Sequence, residues 1–282
     1  MKKRVTVVYK SGDAKLDNSI YALSRKIHSV KDKLRKEGVD VEIRWMSREK
    51  MNIAELHGLD LILVAGGDGT FLSTSHLITD KTPVIGVNTD TEKSVGFYLK
   101  SDLKNIKKDL ELILTSKSGE GYYLHSLPRL LATIHTQSRN IINTDLALND
   151  LLISNTVAYY PSKYFIRYNG KKDYQTSSGI IVFTSAGYSG WAKNVLRKEI
   201  RMKEDEFGFV VREPMNAKYV KGILKKDKEL IIESDMHRGF VVPDSYDEYH
   251  FGRGAKIRIR LVEKSLNVVS FSKNFLENRR EA

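Results

Sequence analysis

The sequence of 282 residues contains no cysteine, only five prolines and no long apolar run. The absence of cysteine excludes disulfides and thiolate metal sites. No apolar run approaches the roughly 20 residues needed to cross a bilayer. The apolar stretch after the basic segment Met1–Arg4 is only about five residues long and has no small-residue cleavage site, so it indicates a first strand rather than a signal peptide. We therefore expect a cytoplasmic protein without a membrane partner.

Acidic residues are the minority charge, with 35 Asp and Glu against 47 Lys and Arg, which gives a net charge of +12. A basic balance favours anionic partners such as nucleotide phosphates, nucleic acid or anionic lipid. The basic residues are spread along the chain, and no block of like charge is typical of a nucleic-acid-binding arm. We therefore expect no nucleic-acid partner, and a solvated basic surface explains the charge equally well.

Residue patterns for a metal site are also missing. The seven histidines show neither His-x-x-x-His nor His-Glu spacing, so a zinc site held by the protein is not expected. Asp244 lies near Asp247 and Glu248, which is compatible with metal binding, but a solvated loop is the simpler interpretation. The sequence thus predicts no metal site built from protein side chains.

The N-terminal part alternates apolar strands with an amphipathic helix. Leu59–Ala65 is apolar on both faces apart from Asp60, which is typical of a parallel strand covered on both sides. Apolar residues at spacings of three and four predict one face of a helix that ends near Gly38; they are Ile20, Leu23, Ile27, Val30 and Leu34. This order predicts a doubly wound open α/β domain over residues 1–118.

The pattern changes at the polar link Ser116–Gly121, after which short strands alternate with turns. Charged and apolar residues alternate strictly in Lys256–Leu261, which predicts a strand with one solvent-exposed and one buried face. Asn169-Gly170 is a strong hairpin signal. We predict an antiparallel β-sandwich domain over residues 119–265. The segment 266–282, a strand and then a polar helix, is compatible with packing back on the first domain.

The most informative segment is Leu61–Leu72, in which a buried strand leads into a glycine-rich turn and then a helix that starts near Thr70. Glycines at 66, 67 and 69 let the backbone turn tightly and approach a ligand closely. The first amides of the helix and its dipole favour a phosphate group there. The segment lacks the Gly-Lys-Ser/Thr of a Walker loop and the spacing of the dinucleotide fingerprint.

Asp68 is the unexpected residue in this turn, because a carboxylate repels phosphate. Its presence is explained if it accepts a proton from an attacking hydroxyl group or helps to hold Mg²⁺. The alternative is that Asp68 and Thr70 only cap the helix.

Four segments, in this order, resemble the motifs of the NAD kinase family, within the superfamily that includes diacylglycerol and sphingosine kinases. Gly66–Leu72 resembles the family's glycine-rich signature, and Pro83–Asn88 resembles its Pro-x-x-Gly-x-Asn strand. Asn149-Asp150 resembles its Asn-Glu motif. Ser178–Trp191 resembles its Thr-x-x-Gly-Ser-Thr-Ala-Tyr segment.

The resemblance implies an ATP-dependent NAD kinase that uses Mg²⁺ and forms NADP, typically as a homodimer or homotetramer. It implies that Asp68 is the catalytic base for the ribose 2′-hydroxyl group. The residues it implies for phosphate and nucleotide binding are Gly66, Gly67, Gly69, Thr70, Phe71 and Asn88. Those it implies for dinucleotide binding are Asn149, Asp150, Thr184, Ala186, Gly187 and Ser189.

Several positions depart from the family pattern. Asp150 stands where the family has Glu, Tyr188 replaces a small residue, and Ser178 stands where an acid is often found. These changes resemble the divergent mitochondrial-type branch and concern the acceptor more than phosphoryl transfer. The alternatives are a superfamily kinase for a lipid or another hydroxyl compound, and a nucleotide-binding regulator without turnover.

Overall fold

The computed structural model describes residues 2–12, 14–90, 96–196, 199–215 and 219–276. The chain divides into two compact units. The first consists of Met1–Ser126 together with Leu266–Ala282, and the second is Leu127–Ser265. The first unit is therefore discontinuous in sequence, and the second is inserted into it.

The first unit contains a parallel sheet with helices. Its elements are β1 (Lys2–Tyr9), α1 (Ala14–Lys36), β2 (Asp40–Ser47), β3 (Leu61–Gly66), α2 (Asp68–Leu77), β4 (Val84–Asn88), β5 (Leu99–Asp102) and α3 (Ile106–Thr115). The strands follow the order β2-β1-β3-β4-β5, and all neighbours are parallel. Val268, on the returning chain, pairs in parallel with Val84 of β4.

Apolar residues on both faces of the strands explain why this sheet is parallel and covered. All six residues of β3 are buried, as expected for a strand between two layers. On one face the sheet packs against apolar side chains of α1 and α3. These are Leu23, Ile27, Val30, Leu34, Ile106, Leu110 and Leu114. The predicted α/β class is confirmed. Among the helices of the described residues, none is long and apolar enough to cross a membrane.

Short strands make up most of the second unit. In chain order the elements are β6 (Tyr123–His135), β7 (Ile141–Asn143), β8 (Asp150–Asn155), β9 (Ser162–Tyr168), β10 (Lys171–Ser177), β11 (Ile180–Thr184), α4 (Trp191–Leu196), β12 (Glu206–Val211), β13 (Lys221–Lys225), β14 (Leu230–Ser234), β15 (Gly239–Pro243), β16 (Tyr249–Phe251) and β17 (Lys256–Ser270). The chain enters this unit within β6 and leaves it within β17.

The second unit is an antiparallel sandwich, as predicted. One sheet has the order β13-β12-β11-β8-β15-β16, and the other contains β10-β9-β14-β17 with β6 and β7. Alternating residues of both sheets form one core, which includes Ile153, Phe209 and Ile257. Asn169 and Gly170 have φ values of 47° and 75° between β9 and β10, which confirms the hairpin turn.

Candidate functional site

The glycine-rich turn joins β3 to α2 at the carboxyl edge of the parallel sheet. Gly66 has a φ of +155°, and a Cβ added there would lie 2.9 Å from Thr70 Oγ1. Gly67 is the N-cap of α2, so the helix begins at Asp68, two residues before the predicted start. The N–H groups of Thr70 and Phe71 donate to Gly67 O at 3.0 and 3.2 Å. A side chain at position 66 would therefore disrupt the turn.

The outer side of this turn is open. A Cβ added at Gly67 or Gly69 would have no atom of the described residues within 4 Å. The free main-chain surface lies at the start of a ten-residue helix, where unpaired N–H groups and the helix dipole favour an anion. The turn can therefore accept a phosphate group against its backbone.

Asp68 is half-buried and is held by main-chain donors from a distant segment. Phe97 N–H donates to Asp68 Oδ2 at 2.8 Å, and Tyr98 N–H donates to Oδ1 at 2.9 Å. The interpretation of Asp68 as a helix cap is wrong, because Gly67 occupies the N-cap position and makes no side-chain cap bond. Each carboxylate oxygen can accept more than one hydrogen bond, so Asp68 retains capacity for a ligand hydroxyl group.

A small residue in β4 brings the Phe97–Tyr98 segment close to Asp68. A Cβ added at Gly86 would lie 2.6 Å from Tyr98 O, so the two main chains pass without an intervening side chain. Tyr98 stacks on Phe71 with ring centroids 5.0 Å apart, and Phe97 meets Phe275 edge-on at 5.4 Å. This aromatic packing fixes the two amides that hold Asp68.

The remaining phosphate-site candidates lie beside the turn, but their side chains are buried. Asn88 ends β4 directly opposite Gly66 in the sheet register, and its Oδ1 accepts the N–H of Asp90 at 3.0 Å. Thr70 and Phe71 are 3% and 1% exposed. Both residues are buried as a whole, and their N–H groups already donate to Gly67 O, so Thr70 and Phe71 support the turn from inside.

The dinucleotide-site candidates are in the second unit, where the segment at Asn149 and the segment 184–189 are joined by hydrogen bonds. Thr184 Oγ1 donates to Leu148 O at 2.6 Å and accepts the N–H of Gly187 at 2.8 Å. Thr184 N–H donates to Asn149 O at 2.9 Å. A Cβ added at Gly187 would lie 1.9 Å from Asn149 O. Gly187 is therefore required for this contact.

Ala186 and Ser189 flank Gly187 in the same short 3₁₀ turn region. Ala186 is buried, whereas Ser189 is exposed and its Oγ lies 3.5 Å from Ala186 O. Tyr188, which replaces a small residue of the family, turns into a small apolar core with Phe183. Its hydroxyl group accepts the N–H of Ile200 at 3.1 Å. The large side chain of Tyr188 is therefore packed in that core.

Asp150 and Asp244 place two carboxylates together at this turn. Asp150 is 8% exposed, and burial together with the charge of Asp244 raises the pKa of Asp150 to about 7. The Asp244 carboxylate accepts the main-chain N–H groups of Leu148, Asn149 and Asp150. The solvated-loop interpretation fits the exposed residues 245–248 but is wrong for Asp244, whose carboxylate is bonded to the main chain.

No group of three or more His, Asp or Glu side chains within the described ranges is arranged to hold a metal ion. The functional candidates that the sequence missed are the main-chain amides of Phe97 and Tyr98 and the carboxylate of Asp244. Main-chain donors carry no residue signature, and Asp244 lies 96 positions from Leu148. The sequence showed Gly86 as part of the motif Pro83–Asn88, but it did not show that Gly86 lets the main chain of Tyr98 pass close by.

We expect Gly187→Ala to destabilise the second unit, because the new methyl group meets a main-chain oxygen that cannot move freely. Overpacking of this kind costs about 1–3 kcal/mol or more. The urea midpoint of unfolding should fall accordingly. Gly252→Ala is the matched control, since the nearest atom to its Cβ is 3.7 Å away. Equal midpoints for both variants would contradict the assigned role of Gly187.

Similarity to known proteins agrees with this geometry. Residues 5–118 match the ATP-NAD kinase N-terminal domain. The chain is 25% identical over 252 residues to NAD kinase 2, mitochondrial, of Rattus norvegicus; the match covers 75% of this chain and 59% of the rat protein. The chain thus spans less than two thirds of that relative's length.

Two solved structures have the same fold. The NAD kinase of Archaeoglobus fulgidus in complex with ATP matches with a TM-score of 0.71 at 21% identity, covering 98% of this chain and 95% of that one. The yeast NADH kinase complexed with NADH matches with a TM-score of 0.80 at 14% identity, covering 98% and 86%. The chain is therefore similar to NAD kinases in sequence over residues 5–118 and in fold over nearly its whole length.

Proposed function

We propose that this protein is an NAD kinase, which transfers the γ-phosphoryl group of ATP to the 2′-hydroxyl group of the adenosine ribose of NAD. The observation that carries the proposal is the Asp68 carboxylate, fixed by two amides beside an open glycine turn at a helix N-terminus. The names of the relatives, NAD kinase and NADH kinase, support the same acceptor class.

The phosphates of ATP would lie against the main chain of Gly67 and Gly69, while Thr70 holds the turn through its bond to Gly67 O. The backbone there is open, and the N-terminus of α2 offsets negative charge. Asn88, at the end of the neighbouring strand, would border the same anion. Thr70 and Phe71 are buried and would support this surface without contacting the phosphates.

Asp68 would act as the general base. The ribose hydroxyl group gives its proton to a carboxylate oxygen of Asp68 while its oxygen forms a bond to the γ-phosphorus. The bond between that phosphorus and the bridging oxygen breaks, and ADP leaves with the electron pair. Positioning and charge neutralisation supply most of the rate gain in such a transfer.

Mg²⁺ fits the donor set if it arrives with ATP. Mg²⁺ is commonly bound by one or two carboxylates, substrate phosphates and water. Asp68 supplies a carboxylate at the turn, and its two amide bonds leave acceptor capacity on both oxygens. When bound, the ion would neutralise the charge on the phosphates.

The acceptor would be held by the turn at Asn149 and by the facing segment, which contributes Thr184, Ala186, Gly187 and Ser189. Thr184 Oγ1, by its bonds to Leu148 O and Gly187 N–H, and Gly187, by its close approach to Asn149 O, set the relative position of these two segments. Asn149 and Asp150 offer an amide and a carboxyl group, which suit ribose hydroxyl groups and the adenine edge.

We further propose a cytoplasmic homodimer or homotetramer. Exposed apolar side chains on the second unit support self-association; Tyr159, Tyr160 and Met215 are 82%, 59% and 69% exposed. Light scattering of the purified chain tests the oligomeric state, and a monomer at micromolar concentration would contradict it.

Purified protein with ATP, Mg²⁺ and NAD should form NADP, which an NADP-specific dehydrogenase detects. Without NADP formation, phosphorylation of lipid vesicles would establish the lipid kinase alternative. Binding of ATP and NAD in calorimetry without turnover of any acceptor would establish the regulator instead.

Asp68→Asn should lower kcat by about a hundredfold or more, because an amide cannot take the proton. The variant keeps one oxygen acceptor for the amides, so we expect it to fold. Steady-state kinetics and a thermal melt check both points. Turnover close to wild type in the folded variant would remove Asp68 from its proposed role.

Gly69→Ala separates a binding role from a structural one. Its new methyl group meets no atom of the described residues within 4 Å, so stability should change by less than about 1 kcal/mol. The methyl group would, however, occupy the space proposed for phosphate, and the KM for ATP should rise about tenfold or more. An unchanged KM for ATP would place the phosphates elsewhere.

A further inference from the structure

Asp244 adopts an unfavourable backbone conformation just after β15. Its φ is +48°, and that of Ser245 is +56°. Such left-handed conformations of residues other than glycine persist when the surroundings hold them. The Asp244 N–H group donates to Asp150 O at 2.9 Å, so the main chain of Asp244 is itself bonded to the turn that carries Asn149 and Asp150.

The carboxylate of Asp244 gathers three consecutive main-chain donors. Leu148 N–H donates to Oδ2 at 2.7 Å, and Asn149 and Asp150 N–H donate to Oδ1 at 2.7 and 2.9 Å. Hydrogen bonds to an ionised carboxylate are about twice as strong as neutral ones. This set fixes the orientation of the two peptide units that carry the proposed dinucleotide contacts.

A buried arginine provides the counter-charge. Arg129 is 1% exposed, and its Nε donates to Lys264 O at 2.7 Å. Burial lowers the pKa of Arg129 to about 10, and the negative charge of Asp244 partly offsets this by raising it. Arg129 therefore remains charged at neutral pH and compensates the charge of Asp244.

The same charge acts on Asp150. Asp150 begins β8, and its N–H group donates to the carboxylate of Asp244, which directly follows β15. On the other side of β8, Asp150 is paired with the uncharged Phe183 of β11. Besides Asp150, the charge of Asp244 acts on the buried Arg129 of β6. Burial first, and the Asp244 charge second, raise the pKa of Asp150 to about 7.

We propose that Asp244 is a positioning residue for NAD, which holds the Asn149–Asp150 turn in its binding orientation and controls the ionisation of Asp150. The proposal rests on the proposed function for its ligand. An ionised Asp150 can accept two hydroxyl groups of a ribose, whereas a protonated one loses part of that capacity. NAD affinity should therefore increase as pH rises through the pKa of Asp150, about 7.

The test is Asp244→Asn in the full chain, which keeps the shape but removes the charge and one acceptor oxygen. We expect the KM for NAD and its calorimetric Kd to rise about tenfold, the equivalent of one lost charged hydrogen bond. The kcat and the KM for ATP should change by less than about twofold. The pH midpoint for NAD binding should move to lower pH, because the neighbouring charge no longer opposes ionisation of Asp150.

Asp247→Asn is the matched control, since Asp247 is an exposed carboxylate three positions further on. It should leave the affinity for NAD and the pH midpoint unchanged. An Asp244→Asn variant with unchanged NAD affinity and pH midpoint, or with equal changes for both substrates, would overturn the proposal.

A second variant keeps the proposal testable if Asp244→Asn does not fold. Asp150→Asn removes the titrating group but retains the main-chain donors, so NAD binding should lose its pH midpoint near 7. Persistence of that midpoint would overturn the assignment to Asp150. If the wild type forms no NADP, that result contradicts the proposed function and not the role of Asp244. The role of Asp244 is still tested, because calorimetry compares NAD binding by the variants without turnover.

Discussion

Carboxylates that collect consecutive main-chain N–H groups hold the candidate site of each unit in place. Asp68 accepts from Phe97 and Tyr98, and Asp244 accepts from the three residues at 148–150. Main-chain donors that are withdrawn from water need partners, and irregular loops have no neighbouring strand to supply them. The aspartates fill that need, so that loops outside the sheets keep one defined shape.

Close contact between main chains is the second requirement, and glycine meets it in both units. Gly86 lets the segment at Tyr98 pass over β4, and Gly187 lets its turn lie on Asn149. The contact at Gly86 places Tyr98 within hydrogen-bonding distance of Asp68. The contact at Gly187 is made with Asn149, whose N–H group Asp244 holds. Packing at these glycines and hydrogen bonding at the carboxylates are therefore parts of the same local arrangement.

Much of the fold could be predicted from the sequence, because its signals are local. The apolar run in β3, the helical spacing in α1 and the pair Asn169-Gly170 each depend on a few neighbouring residues. The bonds that shape the site could not be predicted in this way. Asp68 and its donors are 29 and 30 positions apart, and the donors are backbone groups that every residue except proline carries. Asp244 lay in a polar stretch whose composition resembles that of a solvated loop.

The discontinuity of the first unit has a consequence for synthesis on the ribosome. Its sheet includes Val268, and its aromatic cluster includes Phe275, which is fully buried against Phe97. When Ser265 has left the exit tunnel, every residue of the inserted sandwich is outside the ribosome, whereas these two residues have still to emerge. Since domains generally fold as units during translation, the sandwich is able to form first, and the glycine turn with Asp68 acquires its full support only after residue 275 has left the exit tunnel.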